Sequence, residues 1–413
     1  MTRRQFGWLS GAATLCSAVP RLHAARPMKI TRITATEVRG VVTGKGLVLP
    51  WDPKQEPQDT RDYVIVQMFT DQGIVGTTMD GDYRLPKGIA AEVLKHAEAY
   101  FIGKDPFDVQ LHDVQFFQKI RATPPVRLFF LDIALWDIIG KALGQPLYRV
   151  WGAHSSKVKP YAATVHFVKT PEQRAEDALK FYELGFRAIK LRLHKMEFAE
   201  DVILPRKVID AVRGKMDVMV DANQAGKKKG DPPPVWDVER SKRTALALEE
   251  MGLFWLEEPL NRMDFDGLAK TRAVLTKMHL AGGEGNIGFG DFVNYCTRRC
   301  YSYLQPDPVQ SGSITMVRKI AAMAEAHGIP FGPHHGKSGV GMLISLHMQC
   351  SAPNSGYLEY MYDPGFWNPD GFQAGFEAPY PVDRQGYVHA PEKPGLGAPW
   401  DRKFFAKHKL TFG

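Results

Sequence analysis

The sequence predicts an α/β fold, in which a closed (β/α)7β barrel of the TIM type carries an α+β capping domain. Three observations lead to this prediction. The chain of 413 residues exceeds the size at which a single hydrophobic core stops growing, so two domains are expected. From residue 158 onward the apolar pattern repeats as strand, helix, strand. Acidic side chains end successive strands of this repeat at intervals of one strand–helix unit.

The same observations divide the chain into four segments. They are an export signal over 1–25, the capping domain over 26–150, the barrel over 151–360 and a C-terminal segment over 361–413. The last segment is rich in Gly and Pro and loses the strand–helix repeat. We therefore expect it to return to the capping domain, which is then built from both ends of the chain.

The first segment resembles a twin-arginine export signal. Arg3 and Arg4 precede an uncharged run over 6–19, and a site of small residues follows near Ala24. No other apolar run approaches the roughly 18 residues that a membrane helix needs. We expect a soluble mature protein in the periplasm, with the cytoplasm as the alternative, and no membrane partner.

Composition restricts the class of partner. Hydrophobic residues make up 44% and charged residues 24%, as in ordinary soluble enzymes. The net charge is +8, but no Lys/Arg block alternates with aromatic residues, so a nucleic-acid partner is not expected. A small anionic substrate, drawn in by the positive charge, is the favoured partner. Cys296 and Cys300 are expected to be buried thiols rather than ligands of a soft metal.

The capping domain is predicted as strands followed by helices. The predicted elements are strands over 29–38, 63–70 and 74–77, and helices over 90–101, 109–120 and 125–143. Asp71, Gln72 and Gly73 give a hairpin turn between the second and third strands. Residues 42–61 are predicted as one long loop that contains Trp51, and such loops are usually functional.

Eight strands are predicted for the barrel. They cover 158–165, 187–193, 217–220, 253–256, 279–281, 301–305, 329–332 and 357–360, with helical stretches between them. Seven helices between eight strands give a closed parallel barrel that lacks its last helix. A doubly wound open sheet is the alternative, but the sequence has no Gly-rich phosphate loop to support it.

Three carboxylates stand at the ends of the third, fourth and fifth barrel strands. Asp221, Glu257 and Glu284, hereafter the carboxylate triad, are separated by 36 and 27 residues. Strand ends of one barrel meet at the same rim, where three acidic groups repel one another unless a cation lies between them. Carboxylate oxygens suit a hard ion, so the triad is predicted to bind Mg²⁺.

Other strand ends carry groups that suit the same site. Lys190 and Arg192, the cationic pair, lie two residues apart on the second strand and point the same way. Asp307 follows the sixth strand, His334 follows the seventh, and Glu359 lies on the eighth. A single Asp or His at such a place is more often structural. Here polar residues recur at several strand ends, at intervals of one strand–helix unit, and this repetition favours one shared site.

On these residues the chain resembles the enolase superfamily, in its mandelate racemase subgroup. The matching pieces are Lys190-Leu191-Arg192, Val220-Asp221-Ala222-Asn223, Trp255-Leu256-Glu257-Glu258-Pro259, Gly283-Glu284, Gln305-Pro306-Asp307 and Pro333-His334. The likeness covers nearly everything after the signal. It implies proton abstraction next to a substrate carboxylate, with Mg²⁺ on the carboxylate triad stabilising the enediolate, and even-numbered homo-oligomers.

The resemblance also assigns roles to individual side chains. It makes Asp307 and His334 a catalytic dyad, and it places Glu359 on the substrate carboxylate and Asn223 on a substrate hydroxyl. His335 adjoins His334 and is a further substrate-binding candidate, as is Trp51, because the loop over 42–61 resembles the capping-domain lid that sets specificity in the family. His335 is also an alternative to His334 as the base, although the Pro-His match favours His334.

One departure from the family pattern bears on the reaction. The racemase has lysine at both positions of the cationic pair, and this chain has Arg192 at the second. A guanidinium remains protonated and is a poor base. Racemisation needs a base on each face of the substrate, whereas dehydration can use His334 alone. We therefore expect a sugar-acid dehydratase, with a racemase or epimerase that uses Lys190 as the alternative. A solute-binding protein is disfavoured, because no second similar lobe is present.

Overall fold

The computed structural model describes residues 27–47, 57–82, 85–120, 128–165 and 169–412. The export signal over 1–25 and the lid residue Trp51 lie outside these ranges, so both remain predictions. Among the described residues, no helix is long and apolar enough to cross a membrane.

A three-stranded antiparallel sheet opens the described part of the chain. Its strands, in the order β1-β2-β3, are β1 Ile30–Leu47, β2 Gln58–Thr70 and β3 Val75–Asp82. The prediction of one loop over 42–61 is wrong, because β1 continues to Leu47 and pairs there with Gln58. Register shifts interrupt the pairing of the long ribbon, and they hide the alternating pattern on which a strand prediction depends.

Helices follow the sheet and pack against it. They are Ile89–Phe101, Val109–His112, a π-helical turn Asp113–Phe117, Gln118–Ile120, a 3₁₀ turn Leu128–Phe130, Leu131–Ala142 and Leu147–Val150. Gly76 shows how closely they pack, because a Cβ added there would lie 2.1 Å from the backbone oxygen of Ala134. The sheet and the helices form the α+β capping domain.

The second sheet is parallel and curls into a ring. Chain order continues with β4 Lys157–Val158, β5 Pro160–Ala163, β6 Ala188–Arg192, β7 Asp217–Asp221, β8 Trp255–Glu257, β9 His279–Gly282, β10 Tyr303–Leu304, β11 Leu358–Met361 and β12 Val388–His389. The order in the sheet is β10-β9-β8-β7-β6-β5-β11. Phe331 completes the ring, because it bridges Leu304 on one side and Ser355 on the other.

Helices connect these strands in turn. They are Pro171–Glu183, Phe198–Asp201 with Ile203–Val212, Val238–Glu250, Phe265–Ala273, Phe289–Thr297, Ile314–Ala326 and Gly339–Ser351. Side-chain caps set several of their starts, such as the Thr170 capping box and the Ser313 and Ser338 caps. The predicted (β/α)7β barrel is confirmed, with its seventh strand reduced to the bridges of Phe331.

The C-terminal segment contacts both domains. It contains the short helices Pro369–Phe372 and Arg402–Lys407. The Tyr63 hydroxyl of the capping sheet donates to the Gly371 carbonyl at 2.7 Å, and the Leu396 amide donates to the carboxylate of Asp137 at 2.8 Å. Strand β12 pairs with β4 beside the barrel. These contacts hold the capping domain over the barrel rim.

Candidate active site

Strand register brings the predicted acidic residues together. Arg192 is the pairing partner of Asp221, and Asp221 is the partner of Glu257, so three adjacent strands end at one level. Glu284 follows Gly283, whose φ of 119° turns the chain after β9. Carboxylate oxygens of the triad all lie within 4.8 Å of one another.

The carboxylate triad has the chemistry of a metal site. Asp221 and Glu257 are buried, and Glu284 is half-buried. Burial and the nearby carboxylate of Glu257 raise the pKa of Asp221 above its ordinary value. Buried carboxylates that raise each other's pKa are stabilised by a bound cation, and an all-oxygen donor set fits a hard divalent ion.

Lys190 is fully buried beside the triad. Its Nζ lies 2.9 Å from Oε1 of Glu257 and 2.9 Å from Oε1 of Glu359, and 3.8 Å from Oδ2 of Asp221. Burial acts to lower the pKa of Lys190, but the carboxylates of Glu257 and Glu359 raise it above its ordinary value. Lys190 therefore places a fixed positive charge between the triad and Glu359.

Arg192 is engaged on several sides. Its guanidinium donates to the carboxylate of Asp221, to the Thr164 carbonyl at 2.9 Å and to the side-chain oxygen of Asn223 at 3.3 Å. Asn223 has a φ of 46°, and its backbone and side-chain amides donate to Asp221 at 2.7 Å and 2.9 Å. Asn223 thus holds Asp221 in place. Its contact with a substrate hydroxyl remains a prediction.

The predicted dyad of Asp307 and His334 forms on the side of the barrel rim opposite to β6. His334 Nδ1 donates to Asp307 Oδ2 at 2.5 Å, and the Val309 amide and the Gln310 side chain donate to the same carboxylate at 2.7 Å and 3.1 Å. Burial acts to raise the pKa of Asp307, but the hydrogen bond from His334 holds it below its ordinary value. Asp307 therefore remains anionic and fixes the orientation of the imidazole.

The second nitrogen of His334 faces the pocket. His334 Nε2 lies 3.3 Å from Oε2 of Glu284 and 3.8 Å from Oε2 of Glu359. Burial acts to lower the pKa of His334, but the carboxylates of Glu284, Glu359 and Asp307 raise it to about 10. His334 Nε2 is therefore directed at the space beside the carboxylate triad, where a bound cation would offset the charge of Glu284 and lower this pKa.

Sequence reasoning missed two buried residues next to the carboxylate triad. Gln305 Nε2 donates to Glu257 Oε2 at 3.0 Å. Its signal is its position directly after β10, two residues before Asp307. Glu258 is buried next to Glu257, and burial and the charge of Glu284 raise its pKa well above the ordinary value.

One histidine near the site and the two cysteines discussed above have structural roles. Burial and the cation of Arg192 lower the pKa of His194 to about 3, so its imidazole is neutral. Cys296 and Cys300 are buried free thiols, as predicted.

Two family models match the chain. "Enolase C-terminal domain-like" matches residues 173–404, more than half of the chain. "Mandelate racemase / muconate lactonizing enzyme, N-terminal domain" matches residues 23–152.

Individual relatives carry the names of two different reactions. The L-talarate/galactarate dehydratase of Salmonella typhimurium is 28% identical over 319 residues, which cover 74% of this chain and 75% of the relative. The 3,6-anhydro-alpha-L-galactonate cycloisomerase of Streptomyces coelicolor is 32% identical over 272 residues, which cover 66% of this chain and 68% of the relative.

A solved structure agrees in fold. A racemase from Streptomyces coelicolor with bound magnesium superposes with a TM-score of 0.74 at 22% identity, over 92% of this chain and 99% of that one. The predicted family and the prediction of an enzyme are confirmed. The chain belongs to the enolase superfamily and carries the N-terminal domain of the mandelate racemase and muconate lactonizing enzymes.

Proposed function

We propose that this protein is a Mg²⁺-dependent dehydratase of a sugar acid. The proposal rests on the place of His334, taken together with the identity of residue 192. His334 Nε2 faces the pocket 3.3 Å from Glu284 of the carboxylate triad, and the second position of the cationic pair is an arginine. A single residue that moves protons, beside a metal-binding set, suits a reaction in which one group serves as base and then as acid.

The carboxylate triad would hold Mg²⁺, which when bound supplies Lewis-acid stabilisation of the enediolate. The cationic pair adds fixed positive charge on the side of β6. Glu359 lies between Lys190 and His334, at the position that the family resemblance gives to the group at the substrate carboxylate. These groups bind and orient the acid end of the substrate.

His334 carries the proton transfers in this proposal. Its Nε2 takes the proton from the carbon next to the carboxylate, and Asp307 stabilises the imidazolium that forms. The same Nε2 then returns that proton to the departing hydroxyl on the next carbon, so that one water leaves. The enol that remains becomes a 2-keto-3-deoxy acid.

The relatives support this reaction class, and one is named a dehydratase of L-talarate and galactarate.

A racemase or epimerase at the same site is the second candidate. Lys190 favours this second candidate, because its amine is on β6, on the other side of the barrel rim from Asp307 and His334. Arg192 disfavours it, because a guanidinium does not serve as a base.

A screen of the purified protein with Mg²⁺ against a library of acid sugars tests the proposal. We expect 2-keto-3-deoxy products from one or a few of them. Reactions run in D₂O separate the candidates, because a racemase exchanges the α-proton and gives both configurations without losing water. Exchange without loss of water would replace the dehydratase assignment by the racemase one.

A further inference from the structure

A second histidine lies directly beside the dyad. The ring of His335 packs on that of His334 with 3.8 Å between centroids, and Phe372 and Trp367 of the C-terminal segment contact it at 5.2 Å and 6.3 Å. The His335 backbone amide donates to Oε2 of Glu359 at 3.1 Å. Packing and this hydrogen bond fix the position of the ring.

A backbone amide fixes the tautomer of this ring. The N–H of Lys337 donates to Nδ1 of His335 at 2.8 Å. An amide nitrogen can only donate, so Nδ1 must present a lone pair and carries no proton. The proton of the neutral ring is therefore on Nε2, and His335 can offer only an N–H at that atom.

The turn that directs the Lys337 amide towards His335 is fixed by its own backbone and by its packing. Gly336 and Lys337 both have left-handed backbones, with φ of 64° and 62°. A Cβ on Gly336 would lie 2.6 Å from Cα of Gly341, so the turn packs tightly on the following helix. The Ser338 hydroxyl donates to the Met79 carbonyl at 3.0 Å. The capping domain thus helps to set the tautomer.

The charges around the ring agree with a neutral imidazole. Burial, the neighbouring His334 and the cations of Arg61 and Lys190 lower the pKa of His335 well below its ordinary value, against the opposing charge of Glu359. Among the described residues, only the backbone amide and Nδ1 of His335 have hydrogen-bond partners. Its Nε2 is left to donate to a ligand.

We infer that His335 is a neutral hydrogen-bond donor, locked in the Nε2–H form, that binds a hydroxyl oxygen of the substrate chain. A ring nitrogen of His335 lies within 4.8 Å of a ring nitrogen of His334 and of a carboxylate oxygen of Glu359. The donor is therefore one residue away from the group that moves protons. This assignment deepens the proposed function, on which it rests, by selecting polyhydroxylated acids over acids that carry a single hydroxyl.

The same tautomer argues against a metal ion at this place. His334, His335 and Glu359 have the spacing of a metal-binding group. A metal takes the lone pair of a ring nitrogen, and Nδ1 of His335 already accepts from Lys337 while Nε2 carries the proton. His334 therefore transfers the proton, and His335 binds the substrate as a neutral hydrogen-bond donor.

The tautomer is tested without substrate. Long-range ¹H–¹⁵N correlation spectra of the full protein labelled with ¹⁵N-histidine distinguish the two neutral forms and the charged form. The signals lost in His335→Phe identify this residue. We expect an unprotonated Nδ1 and a protonated Nε2. An Nδ1–H ring or a charged ring at neutral pH would overturn the inference.

Binding of the hydroxyl is tested with paired variants on an acid sugar that the wild type dehydrates. His335→Gln keeps an N–H at a similar reach, and His335→Phe removes it. We expect kcat/KM to fall about 10- to 100-fold in His335→Phe, and by a few-fold at most in His335→Gln. Equal losses in both variants would reduce His335 to a packing role and overturn the assignment.

A deoxy analogue of that acid sugar locates the contact. The wild type should lose activity on the analogue that lacks the bound hydroxyl, and His335→Phe should lose nothing further. If no deoxy analogue shows this pattern, the inference is wrong even though dehydration stands. If the wild type dehydrates no acid sugar, the proposed function fails, and the spectra still decide whether His335 is a locked donor.

Discussion

The two sides of the barrel mouth use charge differently. On the β6 side, Lys190 and Arg192 are locked by carboxylates at short distances, and Lys190 is fully buried. On the opposite side, Asp307 holds Nδ1 of His334, and Nε2 of the same ring faces the space beside the carboxylate triad. The comparison separates a side of fixed charge from a side where a proton can move.

The largest effect should come from the side where the proton moves. His334→Asn removes the ring that accepts and returns the proton, so kcat/KM should fall about 10²- to 10⁴-fold or more. Steady-state kinetics on the acid sugar found by the screen measure this. The variant must keep the wild-type circular dichroism spectrum. A variant that stays folded and active would remove His334 from the mechanism.

Breaking the fixed-charge side should reduce stability. Lys190→Met leaves Glu257 and Glu359 buried without their cation, which costs about 3–5 kcal/mol of unfolding free energy. Urea unfolding in the absence of metal measures the loss. Lys207→Met is the matched control, because its ion pair with Glu172 is exposed and surface ion pairs contribute little to stability. Equal losses for the two variants would contradict the comparison.

Mg²⁺ should stabilise the folded protein through the carboxylate triad. At a Mg²⁺ concentration of about 100 times Kd, the unfolding free energy should rise by about 2.7 kcal/mol. Thermal unfolding with Mg²⁺ and with EDTA measures the difference. Glu284→Gln should weaken the response, because it removes one anionic ligand. A wild-type protein that unfolds at the same temperature under both conditions would exclude metal binding at this site.

The smallest effect on activity is expected from a substitution that gives the β6 side a second side chain able to carry a proton. Arg192→Lys keeps the charge but loses the planar guanidinium that contacts Asp221, Thr164 and Asn223. Dehydration should slow by about tenfold, from the loss of charged hydrogen bonds. NMR in D₂O then shows whether the introduced lysine adds exchange at the α-carbon. An unchanged dehydration rate would show that the guanidinium plays no part.

Much of the fold and of the candidate site followed from the sequence, because parallel barrel strands end at one rim. Strand ends spaced by one unit predicted that Asp221, Glu257 and Glu284 would meet, and that His334 would face them. The long ribbon of β1 and β2 was missed, since its register shifts disguise the alternation. The tautomer of His335 depends on two left-handed residues after it, and no side-chain pattern encodes that turn.

The hydrogen bond from Ser338 to Met79 joins the loop after Phe331 to the capping strand β3, four residues beyond His334. The ion pair of Lys337 with Asp82 joins the same two segments at 3.2 Å. In the proposed reaction, the residues that select the substrate and the residue that transfers the proton would therefore depend on the same contacts. Exchange of its capping domain for that of a relative would alter the loop that carries both histidines, so a graft intended to change specificity would also disturb the base.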